Sequence, residues 1–84
     1  MNITLYENGK FVLLDRLEDG KTYYIQAVYI DNDYPLILSA SRTKPKRVEE
    51  GFIGSDFKIT KQEDIGIWIA SRVSTVNIHI EEIY

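Results

Sequence analysis

Apolar residues in this chain recur at every second position, and nowhere do they form a helical stripe. Val76, Ile78 and Ile80 alternate with Asn77, His79 and Glu81, and Ile65, Ile67 and Ile69 alternate shortly before them. In a strand, successive side chains leave on opposite faces, so both segments read as half-buried β-strands. The other apolar runs are short, and turn residues bound each of them. Asn8-Gly9, the strongest short hairpin signal, separates residues 3–6 from residues 11–14 and predicts a hairpin between them. Asp19-Gly20 precedes a longer run over residues 22–30, rich in Tyr, Ile and Val, which suit a pleated surface.

Asp31-Asn32-Asp33-Tyr34-Pro35 reads as a loop, after which residues 36–40 resume the sheet. Residues 42–51 read as a surface loop, and residues 52–59 as a broken strand with Gly54 a candidate bulge. Thr60-Lys61-Gln62-Glu63 has capping-box spacing and predicts a single helical or 3₁₀ turn.

Six or so short strands in one domain spanning residues 1–84 predict an all-β fold. The expected architecture is a small antiparallel barrel, SH3-like or OB-like, because closure removes exposed edges. The alternative is a sandwich or an open sheet completed by dimerisation. A chain of 84 residues buries only about 60–65% of its unfolded surface, so its stability margin is expected to be modest.

The absence of cysteine excludes disulfides, thiolate nucleophiles and cysteine-ligated metal. The apolar runs are four or five residues, far short of the roughly twenty a membrane-spanning helix needs. No basic head with an apolar segment opens the chain. The expectation is therefore a cytoplasmic protein with no membrane partner.

Charge carries the clearest functional hint. Arg42, Lys44, Lys46 and Arg47 lie in one hexapeptide, Arg-Thr-Lys-Pro-Lys-Arg, leaving six basic against thirteen acidic residues elsewhere. Such a loop suits nucleic-acid phosphates or an acidic protein surface. Single-strand binding would add tyrosines for base stacking. The net charge of −3 weighs against nucleic acid, whose dedicated binders are usually basic overall.

Trp68 sits between Ile67 and Ile69, so it belongs to the opposite face, with the small residues Gly66 and Ala70 beside it. An accessible ring among small neighbours is a common anchor at binding patches. The competing expectation is that the 43–51 loop covers Trp68 and makes it core. Tyr24, Tyr29 and Tyr34 complete the candidate partner-binding set.

Catalysis is poorly provided for. His79 is the only histidine and shares a strand face with Asn77 and Glu81; no motif supplies a nucleophile beside it. Asp31-Asn32-Asp33 faintly resembles the start of a calcium loop, but the glycine and distal glutamate are missing at the required spacing. No catalytic residue, metal or cofactor is expected. The opening pattern of Glu-Asn-Gly-Lys and Asp-Gly-Lys-x-Tyr recurs in short bacterial and phage β-meander proteins. It is mostly turn chemistry and carries no function across. The leading expectation is a non-enzymatic protein-interaction module of bacterial or phage type, monomeric or homodimeric. It would inhibit or regulate its partner, as a phage counter-defence protein does. A small nucleic-acid-binding barrel is the alternative.

Overall fold

A computed structural model describes residues 1–28, 34–73 and 75–83. Alternation dictates what is buried. In β8 (Val76–Ile83), Val76, Ile78 and Ile80 are buried while Asn77 and Glu81 are exposed. β3 (Thr22–Ala27) buries Tyr23, Ile25 and Ala27, and β7 (Gly66–Ser71) buries Ile67 and Ile69 on the same principle. β4 (Leu36–Ser41) adds Leu36 and Leu38. The shorter strands are β1 (Asn2–Leu5), β2 (Val12–Leu13), β5 (Phe52–Gly54) and β6 (Asp56–Thr60).

These eight strands form two four-stranded sheets, ordered β1-β8-β3-β6 and β2-β7-β4-β5, and every named pairing is antiparallel. Ile25, Ile78 and Ile80 of the first sheet meet Leu36, Leu38, Ile67 and Ile69 of the second in one core. Fully burying each such side chain is worth about 1.5–3 kcal/mol. Among the described residues no helix is long and apolar enough to cross a membrane.

The all-β expectation holds, but the barrel does not close. β1 and β6 end the first sheet, β2 and β5 end the second, and no ladder joins them. The chain itself crosses both seams: residues 6–11 lead from β1 to β2, and Ser55 alone leads from β5 to β6. With two and three residues, β2 and β5 are too short to tie the sheets into a barrel. Inner-face packing holds them instead, as in a sandwich.

Two local expectations change for the same reason. Asn8-Gly9 does make a turn, with Gly9 at φ +77°, yet β1 and β2 belong to different sheets and form no hairpin. The Gly9 N–H donates instead to the Ser71 carbonyl at 2.7 Å, fastening the crossover to the end of β7. The capping-box segment is not helical. Thr60 ends β6 facing Thr22, the Ile65 N–H reaches the Gln62 carbonyl, and Asp64 adopts φ +64°. The one 3₁₀ turn among the described residues lies at Val48–Glu50. Gly54 is paired with Leu36 and is not a bulge; the break in the 52–59 strand is the change of sheet at Ser55.

Gly51 brings the 3₁₀ turn down on the second sheet. A Cβ there would lie 2.5 Å from Ile37 Cγ2 and 3.0 Å from the Leu38 carbonyl oxygen, both of buried residues. Gly51→Ala is therefore expected to cost about 1–3 kcal/mol through overpacking, measured as a lower urea midpoint with an unchanged slope. An unshifted midpoint would mean that the turn lifts off without consequence.

Candidate functional site

The two outer faces differ in kind. On the first sheet the solvent face is polar and laced with side-chain hydrogen bonds. Thr4 Oγ1 donates to Asn77 Oδ1 at 2.7 Å, the hydroxyls of Thr22 and Thr60 pair at 2.7 Å, and the Tyr24 hydroxyl donates to Asp56 Oδ2 at 2.5 Å. That carboxylate holds the phenolic proton and raises the Tyr24 pKa. His79 lies on this face between Asn2 Oδ1, 2.7 Å from Nδ1, and Glu81, 4.0 Å from Nε2.

The outer face of the second sheet is apolar. Strand register places Leu13 and Ser39 on either side of Trp68, and Ile37 between Ala70 and Ile53. Phe11, from the β1–β2 crossover, packs on Ile37 and Ala70, and these three residues are buried with Trp68 against them. Gly51 presses on Ile37 from the other side. Coverage then runs out. Trp68 is half-buried, while Leu13 is 41% and Ile53 56% exposed. The 43–51 loop thus covers part of this face, and Trp68 is neither sealed core nor a free ring.

One hydrogen bond fixes what Trp68 stands beside. Its indole N–H donates to the Ser41 carbonyl at 3.1 Å, and Ser41 is the last residue of β4. The basic hexapeptide starts at the next residue. Gly66, opposite Ser41, makes room for this: a Cβ there would sit 2.9 Å from Trp68 Nε1 and 3.0 Å from Leu13 Cδ1. The indole is therefore moored at the root of the cationic loop, with Leu13 on its flank.

The loop is ordered from within. Pro45 is buried, and one carboxylate oxygen of Glu50 accepts the backbone N–H groups of Lys46 at 2.6 Å and Arg47 at 2.9 Å. Those bonds hold the Glu50 carboxyl below its usual range. Glu50 thus spends its charge on the backbone and makes no ion pair with the cations. Arg42, Lys44, Lys46 and Arg47 are all exposed, and among the described residues none has an ionic partner. Some other cations are matched: Lys21 reaches Glu18 and Glu82 at 2.6 and 3.3 Å, and Lys61 reaches Asp19 at 2.7 Å, whereas Arg16, Lys58 and Arg72 have no ionic partner among the described residues. Beside the loop lies an open hollow of about 380 Å³, whose walls include Ser39, Ser41, Thr43, Lys44 and Lys46.

The structure thus places Trp68 at the root of the loop that carries the four cations, a neighbourhood that residue spacing alone does not disclose. Tyr24 and Tyr34 do not join it. Tyr24 is on the outer face of the other sheet, engaged with Asp56. Tyr34 precedes β4, at the end opposite Ser41, and its carbonyl accepts a hydrogen bond from Arg72. Tyr29 and the Asp31-Asn32-Asp33 segment lie outside the described residues. Leu13 belongs to the site although sequence reasoning passed over it, and Glu50, legible as an acid the loop's charges could meet, belongs to it as a backbone acceptor instead. The signal for Glu50 was an acid three residues after Arg47, and for Leu13 its parity in a strand whose partner was unknown. Among the described residues no three His, Asp or Glu side chains converge as metal ligands would. Comparison with protein-family models, curated proteins and solved structures finds no match to this chain.

The Glu50 bonds make a pH prediction. A carboxyl whose pKa is lowered on folding stabilises the loop above its unfolded value, and that support disappears as pH falls through the folded value. The amide proton shifts of Lys46 and Arg47 should titrate together, with a midpoint below that of an ordinary glutamate, and Glu50→Gln should abolish the titration. A midpoint at or above the ordinary glutamate value would contradict the arrangement.

Proposed function

We propose that this chain is a non-enzymatic protein-interaction module of bacterial or phage type, cytoplasmic, that docks on an acidic partner protein through the outer face of the second sheet. Its role is to inhibit or regulate that partner, as a phage counter-defence protein does. The observation that supports this most is the mooring of Trp68 at the root of a loop whose four cations lack ionic partners among the described residues. An apolar anchor provides affinity once desolvated, and rim charges steer the encounter and select an acidic counterpart. The net-negative remainder of the chain disfavours an acidic partner approaching from any other side.

The unpaired cations also favour the nucleic-acid reading, which is weaker on geometry. Sequence-independent single-strand binding needs ring faces on which successive bases stack. Of the described candidate aromatics, only Trp68 stands near the loop, half-buried and edge-tethered, while Tyr24 lies on the far sheet.

The test is capture from a bacterial lysate by immobilised wild type, Leu13→Ser, and a variant with Arg42, Lys44, Lys46 and Arg47 all changed to alanine. Leu13 is partly exposed, so its replacement spares the core. Removing four rim cations at about 0.2–1 kcal/mol each should cut recovery roughly fourfold or more. Recovery by wild type should also fall with added salt. Identical captured proteins with all three baits would refute the proposed face. Salt-sensitive binding of labelled oligonucleotides in fluorescence anisotropy, lost in the alanine variant, would establish the nucleic-acid reading instead.

A further inference from the structure

Among the described residues β6 is the last strand of the first sheet, with β3 on one side and no strand on the other. Its register with β3 runs from Thr22↔Thr60 to Gln26↔Asp56. The bonds that flank this ladder are Lys61 N–H to the Lys21 carbonyl at 2.9 Å and Ala27 N–H to the Ser55 carbonyl at 3.0 Å. Antiparallel hydrogen bonding alternates along a strand, so residues 55, 57, 59 and 61 bond to β3. Asp56, Lys58 and Thr60 then direct their backbone N–H and C=O groups away from the sheet. An edge of this kind is a template for one more strand.

Two features narrow what the added strand is. Its side chains alternate Asp56, Phe57, Lys58, Ile59, Thr60, and Lys58 has no ionic partner among the described residues. Set against a second copy of itself, antiparallel and centred on Phe57, this strand places each Asp56 opposite the other copy's Lys58. Phe57 faces Phe57 on the inner side, where the ring already packs on the core. The same register joins outward backbone groups to outward backbone groups. Centring on Lys58 would set lysine against lysine, a like-charge pairing that destabilises. The adjoining edge of the second sheet, β5, carries Phe52, 75% exposed, apolar surface that an approaching sandwich covers.

We infer that this protein forms a two-fold dimer by antiparallel β6–β6 pairing centred on Phe57, making one continuous eight-stranded sheet whose register is set by reciprocal Asp56–Lys58 pairs. The dimer leaves the second sheet's outer face and the basic loop free, so each dimer presents two copies of the site described above.

Light scattering and sedimentation across micromolar concentrations test this with four proteins. Wild type should have twice the 9.8 kDa chain mass. Lys58→Asp sets aspartate against Asp56 at both pairs and should raise the dissociation constant roughly tenfold or more. The double exchange of Asp56→Lys with Lys58→Asp restores opposite charges and should recover the dimer. Lys58→Pro removes only an outward-facing N–H, which an edge strand tolerates, and should give a folded monomer by circular dichroism. A wild type of single-chain mass throughout would overturn the inference. So would a dimer indifferent to Lys58→Asp, or a double exchange no tighter than Lys58→Asp alone. The charge variants decide the matter even if the proline variant fails to fold.

Discussion

Everything else in this molecule depends on the burial of β7 against β8. These consecutive strands occupy interior positions, β7 between β2 and β4 and β8 between β1 and β3. Ile67 and Ile69 on one side and Ile78 and Ile80 on the other lie at the centre of the core, none more than 3% exposed. Fixing each residue's backbone costs about 1–2 kcal/mol, which a two-residue strand such as β2 cannot offset alone. β2 and β5 therefore exist because a completed centre offers them a ladder and a partly covered face.

Two kinds of information in the sequence had different reach. Alternation is local, and it located the inward isoleucines of β7 and β8 because the pleat imposes it whatever the partner strand is, whereas β3, apolar on both faces, gave no such sign. Turn chemistry is local too: Gly9 and Gly20 occupy positive φ, as Asn-Gly and Asp-Gly suggest. What no local signal carries is the identity of the strand across the turn. Asn8-Gly9 reverses the chain equally well within a sheet or between sheets, and the choice was made by distant burial of Leu5 and Phe11 in separate clusters. The capping-box pattern at residue 60 failed similarly, because pairing with Thr22 held Thr60 extended before its hydroxyl could cap anything. The 3₁₀ turn formed where Glu50 could reach back to two free backbone N–H groups, although Arg47 is an unusual residue at that position.

The candidate site was half legible. The basic hexapeptide and Trp68 stand out by composition and by strand parity, each on its own. Their adjacency is a matter of register, the pairing of Ser41 with Gly66, and a shift of two residues along β4 would have carried the indole away from the loop. Tyr24 shows the converse limit. Its place in the tyrosine-rich β3 suits a covered or a solvent-facing ring equally, and in the fold it meets the polar requirement of an exposed sheet by donating to Asp56. An aromatic with a hydroxyl can serve either face of a sheet, so its presence alone does not tell which.

Glu50 shows how the cationic loop keeps its charge available. An acid beside four cations would ordinarily be expected to pair with one of them, and such exposed pairs are worth little. Accepting two backbone N–H groups instead gives the carboxylate better-defined partners and leaves the cationic heads without competition. The loop is thereby stiffened and kept electrostatically unspent at once. Stiffness matters for recognition because a loop already ordered has less conformational entropy to lose on binding, so more of the contact energy appears as affinity. Pro45, buried beneath the loop, acts in the same direction by restricting the unbound chain. Lys21 and Lys61, by contrast, are each committed to carboxylates of their own chain.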